Sequence, residues 1–530
     1  RALGDVVIEP VDSKEIMVTT GDLKDAKVEI KKLTSSLHRS KQALVSPESR
    51  QFIDDAYSKP DIWGLIGGII AKRRNKKRFL EICFLPFIGD EDGAATFRLS
   101  STLEQEPELR VNLVTEEIPE DIQSVGAENP VLMASFGRRL LKRQNADLLI
   151  WGEVDPVSSM LQVRLLPNGM NADQPGDFIF SDYLAFPRNY PTQYNRLLFA
   201  SVVAAIVPRT ESYGLMMQPL LMNAIEGAEE ACNEDLPDLS SIGQASNKVS
   251  FGNAAATIGN RLSDTYWYKK AENSYQAAAE IISEDAAPTE WANLHYHLGY
   301  IRHVLADKER DKEQLVAALE SYKIAIKFFT RASCPWEWAL LQNRIGNTYL
   351  RLDRFNDDTE NLKLAITAFQ SGLKIITRKV DPLKWSEMKS SLGQALQIWG
   401  DMVASKELLE LAVKCCREAL QMRSRNEAPL NWAMSQNNLG SALFLLGRRI
   451  QDIRILEDSI ESFNGALSIY QAYGANRLKK VTERNLEKTK SLLKKLRLRS
   501  VAKMAWENEP LNVNMDGQKK DSATLPQILE

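Results

Sequence analysis

Trp291, Trp338, Trp385 and Trp432 stand 47 residues apart, and Pro288, Pro335, Pro382 and Pro429 keep the same step. Gly252, Gly299, Gly346, Gly393 and Gly440 extend it by one unit toward the N-terminus. Three further columns share the register: Ala271, Ala318, Ala365, Ala412 and Ser459; Ala278, Ala325, Gly372, Ala419 and Ala466; Tyr275, Tyr322, Phe369, Cys416 and Phe463. Such periodicity marks a repeat array, in which each unit buries its apolar face only against its neighbours. Each unit reads as two helices. The first runs from the Trp, as in 432–447, with Pro three residues ahead, where a first turn tolerates the missing N–H. The second carries the small-residue columns, as in 362–376. Small residues seven apart share one face and let helices approach closely. A long polar inner turn, as in 353–360, joins the two.

The array resembles the tetratricopeptide repeat (TPR) family. Asn438, Leu439 and Gly440 with Ala442 and Leu443, and Asn343 to Gly346 with Tyr349, match the family's first helix. The alanine columns and the aromatic at Tyr322 or Phe369 match its second. The departure is length, 47 residues against about 34, assigned to a longer first helix and the inner turn. The resemblance covers roughly 240–500 and implies a right-handed solenoid with a concave groove and a protein–protein role. In the family, groove residues stand three before and one after the glycine. Carried over, these are Val249 and Asn253, Tyr296 and Tyr300, Asn343 and Asn347, Ser390 and Gln394, and Asn437 and Ser441. Mostly amides, hydroxyls and phenols, they suit hydrogen bonds to a peptide backbone. None is Lys, so a clamp for acidic C-termini is not implied. The Trp column reads as packing between repeats.

Residues 78–210 follow another grammar. An apolar run of strand length, 79–87, precedes a loop with Gly89, Asp90, Asp92 and Gly93. Further strands are expected at 110–115, 146–154, 161–166 and 177–184, the last two as a hairpin, with an amphipathic helix at 130–144 and an apolar helix at 194–207. The order β-α-β-α-β-β-β-α predicts an α/β sandwich with a mixed sheet. Leu85–Pro86–Phe87, then Ala146–Asp147 through Gly152 and Val154, then Leu161, Val163 and Leu166 resemble the N-terminal-like domain of TolB and FlgO-type proteins. That resemblance implies a binding or assembly module and a bacterial source.

The fold class expected is therefore multi-domain: a mixed-sheet α/β domain, then an all-α TPR-like right-handed solenoid of 47-residue helical hairpins. The boundaries are 1–77 (helical arm with a short apolar and basic segment), 78–210, 211–240 (linker), 241–503 (solenoid with a basic capping helix, 479–503) and 504–530 (disordered tail). Within the arm, 20–44 has the spacing of an amphipathic helix. Residues 62–71 form an apolar run too short to span a bilayer, followed by six cations in 72–78. Trp63, Lys72, Arg73, Arg74, Lys76 and Lys77 are the candidates for an anionic membrane surface.

Chemistry is sparse. The formal net charge is -3, and five scattered cysteines give no ligand spacing and suit a reducing compartment. His295, His297 and His303 lack an i,i+4 pair, so no metal site is expected. No phosphate loop or nucleophile motif occurs. The expectation is a non-enzymatic adaptor without cofactors, cytoplasmic or membrane-associated, binding a protein in the groove. The alternatives are a membrane-surface assembly factor of a bacterial envelope or secretion-type complex, and a sensor of a small ligand or nucleic acid, the latter through the basic helix. Self-association is left open.

Overall fold

The computed structural model of the chain describes residues 79–114, 130–155, 160–168, 174–208, 211–233, 238–355, 359–426 and 428–507. The arm, with its expected helix at 20–44 and its membrane candidates Trp63, Lys72, Arg73, Arg74, Lys76 and Lys77, lies outside the described residues, as does 508–530.

Five strands form one sheet in the order β2-β1-β3-β4-β5: β1 (Leu80–Phe84), β2 (Leu109–Leu113), β3 (Leu148–Val154), β4 (Met160–Pro167) and β5 (Leu184–Pro187). β1 is parallel to β2 and β3, while β4 pairs antiparallel with β3 and β5. A strand covered on both faces is largely apolar, and in β1 only Glu81, paired with Arg110 and Asn112 of β2, departs from this. Leu80, Ile82 and Phe84 face one core with α1 (Ala94–Glu104) and α3 (Tyr194–Ala205). Cys83 faces another with α2 (Pro130–Gln144). The Gly89–Gly93 loop wraps the carboxylate of Asp90, which accepts from the N–H groups of Ala95 and Thr96 and from the Thr96 hydroxyl. It caps α1 rather than offering a ligand site.

Two expectations need correction. The strand expected at 177–184 begins only at Leu184; the hairpin partner of β4 is the four-residue β5, and 177–182 is loop. The stretch 211–240, expected as a linker, is mostly the helix α4 (Glu211–Asn233). Met217, Leu221, Ala224, Ile225 and Ala228 form a buried helical stripe, and α4 packs between α3 and the helix that follows.

That helix opens an array of five hairpins: α5 (Ser241–Leu262) with α6 (Thr265–Ala279), α7 (Pro288–Glu309) with α8 (Lys312–Phe328), α9 (Pro335–Leu352) with α10 (Glu360–Gly372), α11 (Pro382–Met402) with α12 (Lys406–Leu420), and α13 (Pro429–Ile450) with α14 (Ile453–Ala472). α15 (Asn476–Glu507) packs on the last hairpin and runs past residue 504, where the tail was expected. The four prolines each open a first helix. The glycine and aromatic columns prove to be one contact. A methyl on Gly299, Gly346 or Gly440 would overlap the ring of Tyr322, Phe369 or Phe463, so glycine sets the helix separation within the hairpin.

The extra length lies in the long first helices, as expected, but mostly not in the inner turn. In four hairpins the inner turn is two or three residues long, with Ser263, Arg310, Ala404 and Gln451 in the left-handed region at one repeat position. Each is followed by an Asp or Ser that caps the second helix: Asp264, Asp311, Ser405 and Asp452. Only the third unit has a long inner turn, including the 3₁₀ turn Asp353–Phe355. The added residues sit in long helices and in the links between hairpins, 280–287, 329–334, 373–381 and 421–428.

Candidate protein-binding inner face

Successive first helices, α5, α7, α9, α11 and α13, pack directly on one another. They line the inner side of the array, and α15 continues the row. The first two units of this face are already occupied by the chain itself. Residues 174–185, the loop before β5 and the start of that strand, lie across α5 and α7. As the segment advances, its partners on α5 run backwards. Asn260 Nδ2 donates to Gln174 Oε1 (2.8 Å), and Thr257 Oγ1 to the Gly176 carbonyl (3.3 Å). Asn253 Nδ2 donates to Asp182 Oδ2 (3.2 Å), and Ser250 Oγ to the Tyr183 carbonyl (3.4 Å). Asn247 accepts from the Ala185 N–H at 2.9 Å and donates to its carbonyl at 2.8 Å. The side-chain amide thus does for Ala185 what a neighbouring strand would do. Gly176, at φ 88, lies so near Asn253 and Thr257 that no side chain fits.

α7 supplies the second row. Asn293 accepts from the Ser181 hydroxyl (2.7 Å) and donates to the Ser181 carbonyl (3.0 Å). Glu290 accepts from the Tyr183 hydroxyl (2.8 Å). His297 Nε2 lies 2.8 Å from Asp182 Oδ2, both side chains almost fully buried. The same Asp182 oxygen accepts from the Ile179 N–H (2.9 Å). Tyr275 donates to Asn253 Oδ1 (2.7 Å), which turns the amide's N–H toward Asp182. Burial, and then the Asp182 charge, hold the Tyr275 hydroxyl well above its ordinary pKa. Ile179 fills an apolar hole among Ala292, Tyr296, Tyr322 and Phe329. Arg164 of β4, its pKa lowered by burial, donates to the Ser181 carbonyl (3.3 Å) and backs the segment from the sheet side.

The carried-over positions therefore divide. Val249, Asn253 and Tyr296, expected on an open groove, are buried in the first two units. Tyr300 and Tyr296 lie under the guanidinium of Arg344 at 3.8 and 4.0 Å. Farther along, Asn347, Ser390, Gln394 and Asn437 are half-buried, whereas Asn343 and Ser441 are buried. Several of these bond one another or their neighbours. Asn347 donates to Asn343 (3.4 Å), Asn438 to Ser390 (3.1 Å), Thr482 to Asn437 (3.0 Å), and Ser441 to the Asn437 carbonyl (3.0 Å).

Apart from Asn253, the residues that hold the segment most directly were missed. Asn247, Ser250, Asn253 and Thr257, like Glu290, Asn293 and His297, follow steps of three or four and so form one stripe per helix. That stripe was readable; the ligand it faces was not.

The Trp column is less buried than packing alone would make it. Trp291, Trp338, Trp385 and Trp432 are half-exposed. Arg331, Lys389 and Arg425 lie over the last three rings at 5.9, 5.4 and 5.1 Å. Beside Trp432, where Gly465 offers no side chain, a hollow of about 540 Å³ opens over Leu439 and Leu443, with Arg417 and Asp458 on its rim.

Reactive chemistry is muted. Burial pushes the thiols of Cys83 to about 11 and of Cys232 and Cys416 to about 12, so they stay protonated and poorly nucleophilic near neutrality. His295 is pressed down to about 4 by burial, then by Arg302, and packs edge-on against Trp291. Among the described residues no group of His, Cys, Asp or Glu is placed to hold a metal, and no helix is long and apolar enough to cross a membrane.

No family model matches the chain, and no curated protein matches it. Among solved structures, the crystal structure of yeast Tom70 is similar at 12% identity over 87% of each chain, with a TM-score of 0.26.

Proposed function

We propose that this protein is a non-enzymatic adaptor that holds an extended segment of a protein partner on the inner face of α9, α11, α13 and α15. The observation that carries this reading is the chain's own segment on α5 and α7, read there through backbone hydrogen bonds and one inserted aliphatic side chain. The columns that bind it continue into the later units. Asn253 recurs as Asn347, Gln394 and Ser441, and Ser250 as Ser391 and Asn438. Amides that bond each other in the absence of a ligand exchange those bonds for a peptide backbone at little net cost. The resemblance to the TPR family points the same way. The α/β unit, TolB-like in its strand motifs, serves as a second contact and fixes the end of the groove.

The test is a pull-down from the native source with the intact chain and with Asn347→Arg/Gln394→Arg/Asn437→Arg. A partner recovered by the intact chain and lost by the variant is expected. Equal recovery by both would move the binding surface off the inner face.

A further inference from the structure

One place in the repeat is filled in the second and fourth units and open in the fifth. In the second unit it holds a cation of the chain itself. Arg302, on α7, donates from Nη1 to Ser321 Oγ at 3.1 Å and from Nε to Glu272 Oε1 at 3.4 Å. In the fourth unit the cation is Lys389. It lies 5.4 Å from the centre of the Trp385 ring and 2.7 Å from Glu418 Oε2. Counted along the 47-residue step, Arg302 corresponds to Leu443 and Ser321 to Ser462, while Lys389 and Glu418 correspond to Gln436 and Gly465. All four counterparts line the hollow of about 540 Å³ beside Trp432. The fifth unit keeps the walls and lacks the cation.

The groups that would meet a cation are in place. Ser321 Oγ donates to the Ala317 carbonyl at 3.0 Å, which turns its lone pairs toward Arg302. Ser462 Oγ donates to the Asp458 carbonyl at the same distance, and among the described residues no N–H donates to it. Two carboxylates of α14, Asp458 and Glu461, stand on the rim one helical turn apart. Arg417 takes Asp458 at 3.8 Å, and Arg425 lies over the Trp432 ring at 5.1 Å. Glu461 is exposed and has no basic partner among the described residues. At 100° per residue, Trp432, Gln436, Leu439 and Leu443 share one flank of α13, more than about 100° round from Asn437 and Ser441 on the inner face. The hollow is a second site, independent of the reading of that face.

We propose that the hollow beside Trp432 takes an arginine side chain of a protein partner, its guanidinium on Glu461 and Ser462 and its methylenes on Leu439 and Leu443. Where the chain fills this place itself it uses a basic side chain with one carboxylate, and in the fifth unit the carboxylate is left over. Arginine suits it better than lysine because a planar fork bonds a serine and a carboxylate together, as Arg302 does.

The test is a titration of the full chain, methyl-labelled at leucine, with acetyl-arginine-methylamide. Saturable shifts at Leu439 and Leu443 are expected. Gln436→Lys/Gly465→Glu installs the fourth unit's pair, and the new Cβ at 465 comes no closer than 3.3 Å to the Trp432 ring. In this variant the shifts should vanish with thermal unfolding unchanged or raised. Glu461→Gln, a surface change outside the core, should weaken binding about tenfold. No saturable shift in the intact chain would overturn the proposal, as would equal binding by the double variant. Equal binding of the neutral acetyl-citrulline-methylamide would remove the guanidinium. Tighter binding of free arginine than of the blocked form would remove the protein partner.

Discussion

The inner faces of the first two hairpins and of the last three are built from the same repeat columns, yet one is filled and the other open. On α5 and α7 the polar stripe residues other than Glu290 are almost fully buried, and each bonds the segment that lies across them. On α9, α11 and α13 the matching columns hold the half-buried Asn347, Gln394 and Asn438 and the buried Ser441, most of which bond within the array, as Asn438 does to Ser390. The difference teaches what the surface is for. A stripe of amides satisfied among themselves is merely a wet helix face, but the same stripe laid against a chain becomes a strand partner. The filled half shows the chemistry that the open half offers.

Asp182→Ala would break this comparison most forcibly. It leaves His297, Asn253 and the Ile179 N–H without their acceptor, and each buried group left unpaired costs about 1–3 kcal/mol. Thermal unfolding should then resolve two transitions, the sheet separating from the array. Ile179→Ala empties the hole among Tyr296, Tyr322 and Phe329 and should cost about 2–4 kcal/mol in denaturant unfolding. Asn247→Ala strips both bonds from Ala185 and should cost about 1–3 kcal/mol, with faster hydrogen exchange at Ala185.

A subtler probe is pH. The folded pKa of His295, about 4, lies below its ordinary 6.5, because burial and Arg302 disfavour the charged ring. Below pH 6.5 the unfolded chain takes up the proton first, so this site's contribution is complete above that pH and is lost as pH falls through 4. His295→Gln, with the residue the third and fifth units carry as Gln342 and Gln436, should flatten the stability-against-pH curve across that window in denaturant titrations. The smallest effect sharpens the contrast from the open side. Asn347→Ala/Gln394→Ala/Asn437→Ala should leave stability within roughly 0.5 kcal/mol per site while partner capture falls.

What the sequence made legible was periodic and local. Pro335 and Pro382 mark helix starts because a first turn has no use for that N–H. Gly346 and Phe369 mark one close helix pair, visible as two columns before it is visible as a contact. The inner turns were misjudged because the four non-glycine residues that hold the left-handed turn, Ser263, Arg310, Ala404 and Gln451, look ordinary in a chain where Gly or Asn would have announced them. The occupied groove was hidden for another reason. Asp182 and His297 are 115 residues apart, and neither belongs to a pattern that names the other. The stretch 177–184, rich in Phe, Ile and Tyr, reads as a strand, yet 177–182 docks on the array as a loop. A separation of 62 residues likewise conceals Asn247 as the closing partner of β5.

That distance is also an interval of time. The chain is made from its N-terminus, and β5 is finished at Pro187, whereas α5, which closes the strand's outer edge, is complete only at Leu262. At ~5–20 residues per second, synthesis leaves the edge bare for about 4–15 s. During those seconds the half-built sheet offers Ala185 and Ile179 to anything nearby. The first ligand of the array is therefore a sibling strand that has waited, and the ribosome's pace sets how long it must be kept from other company.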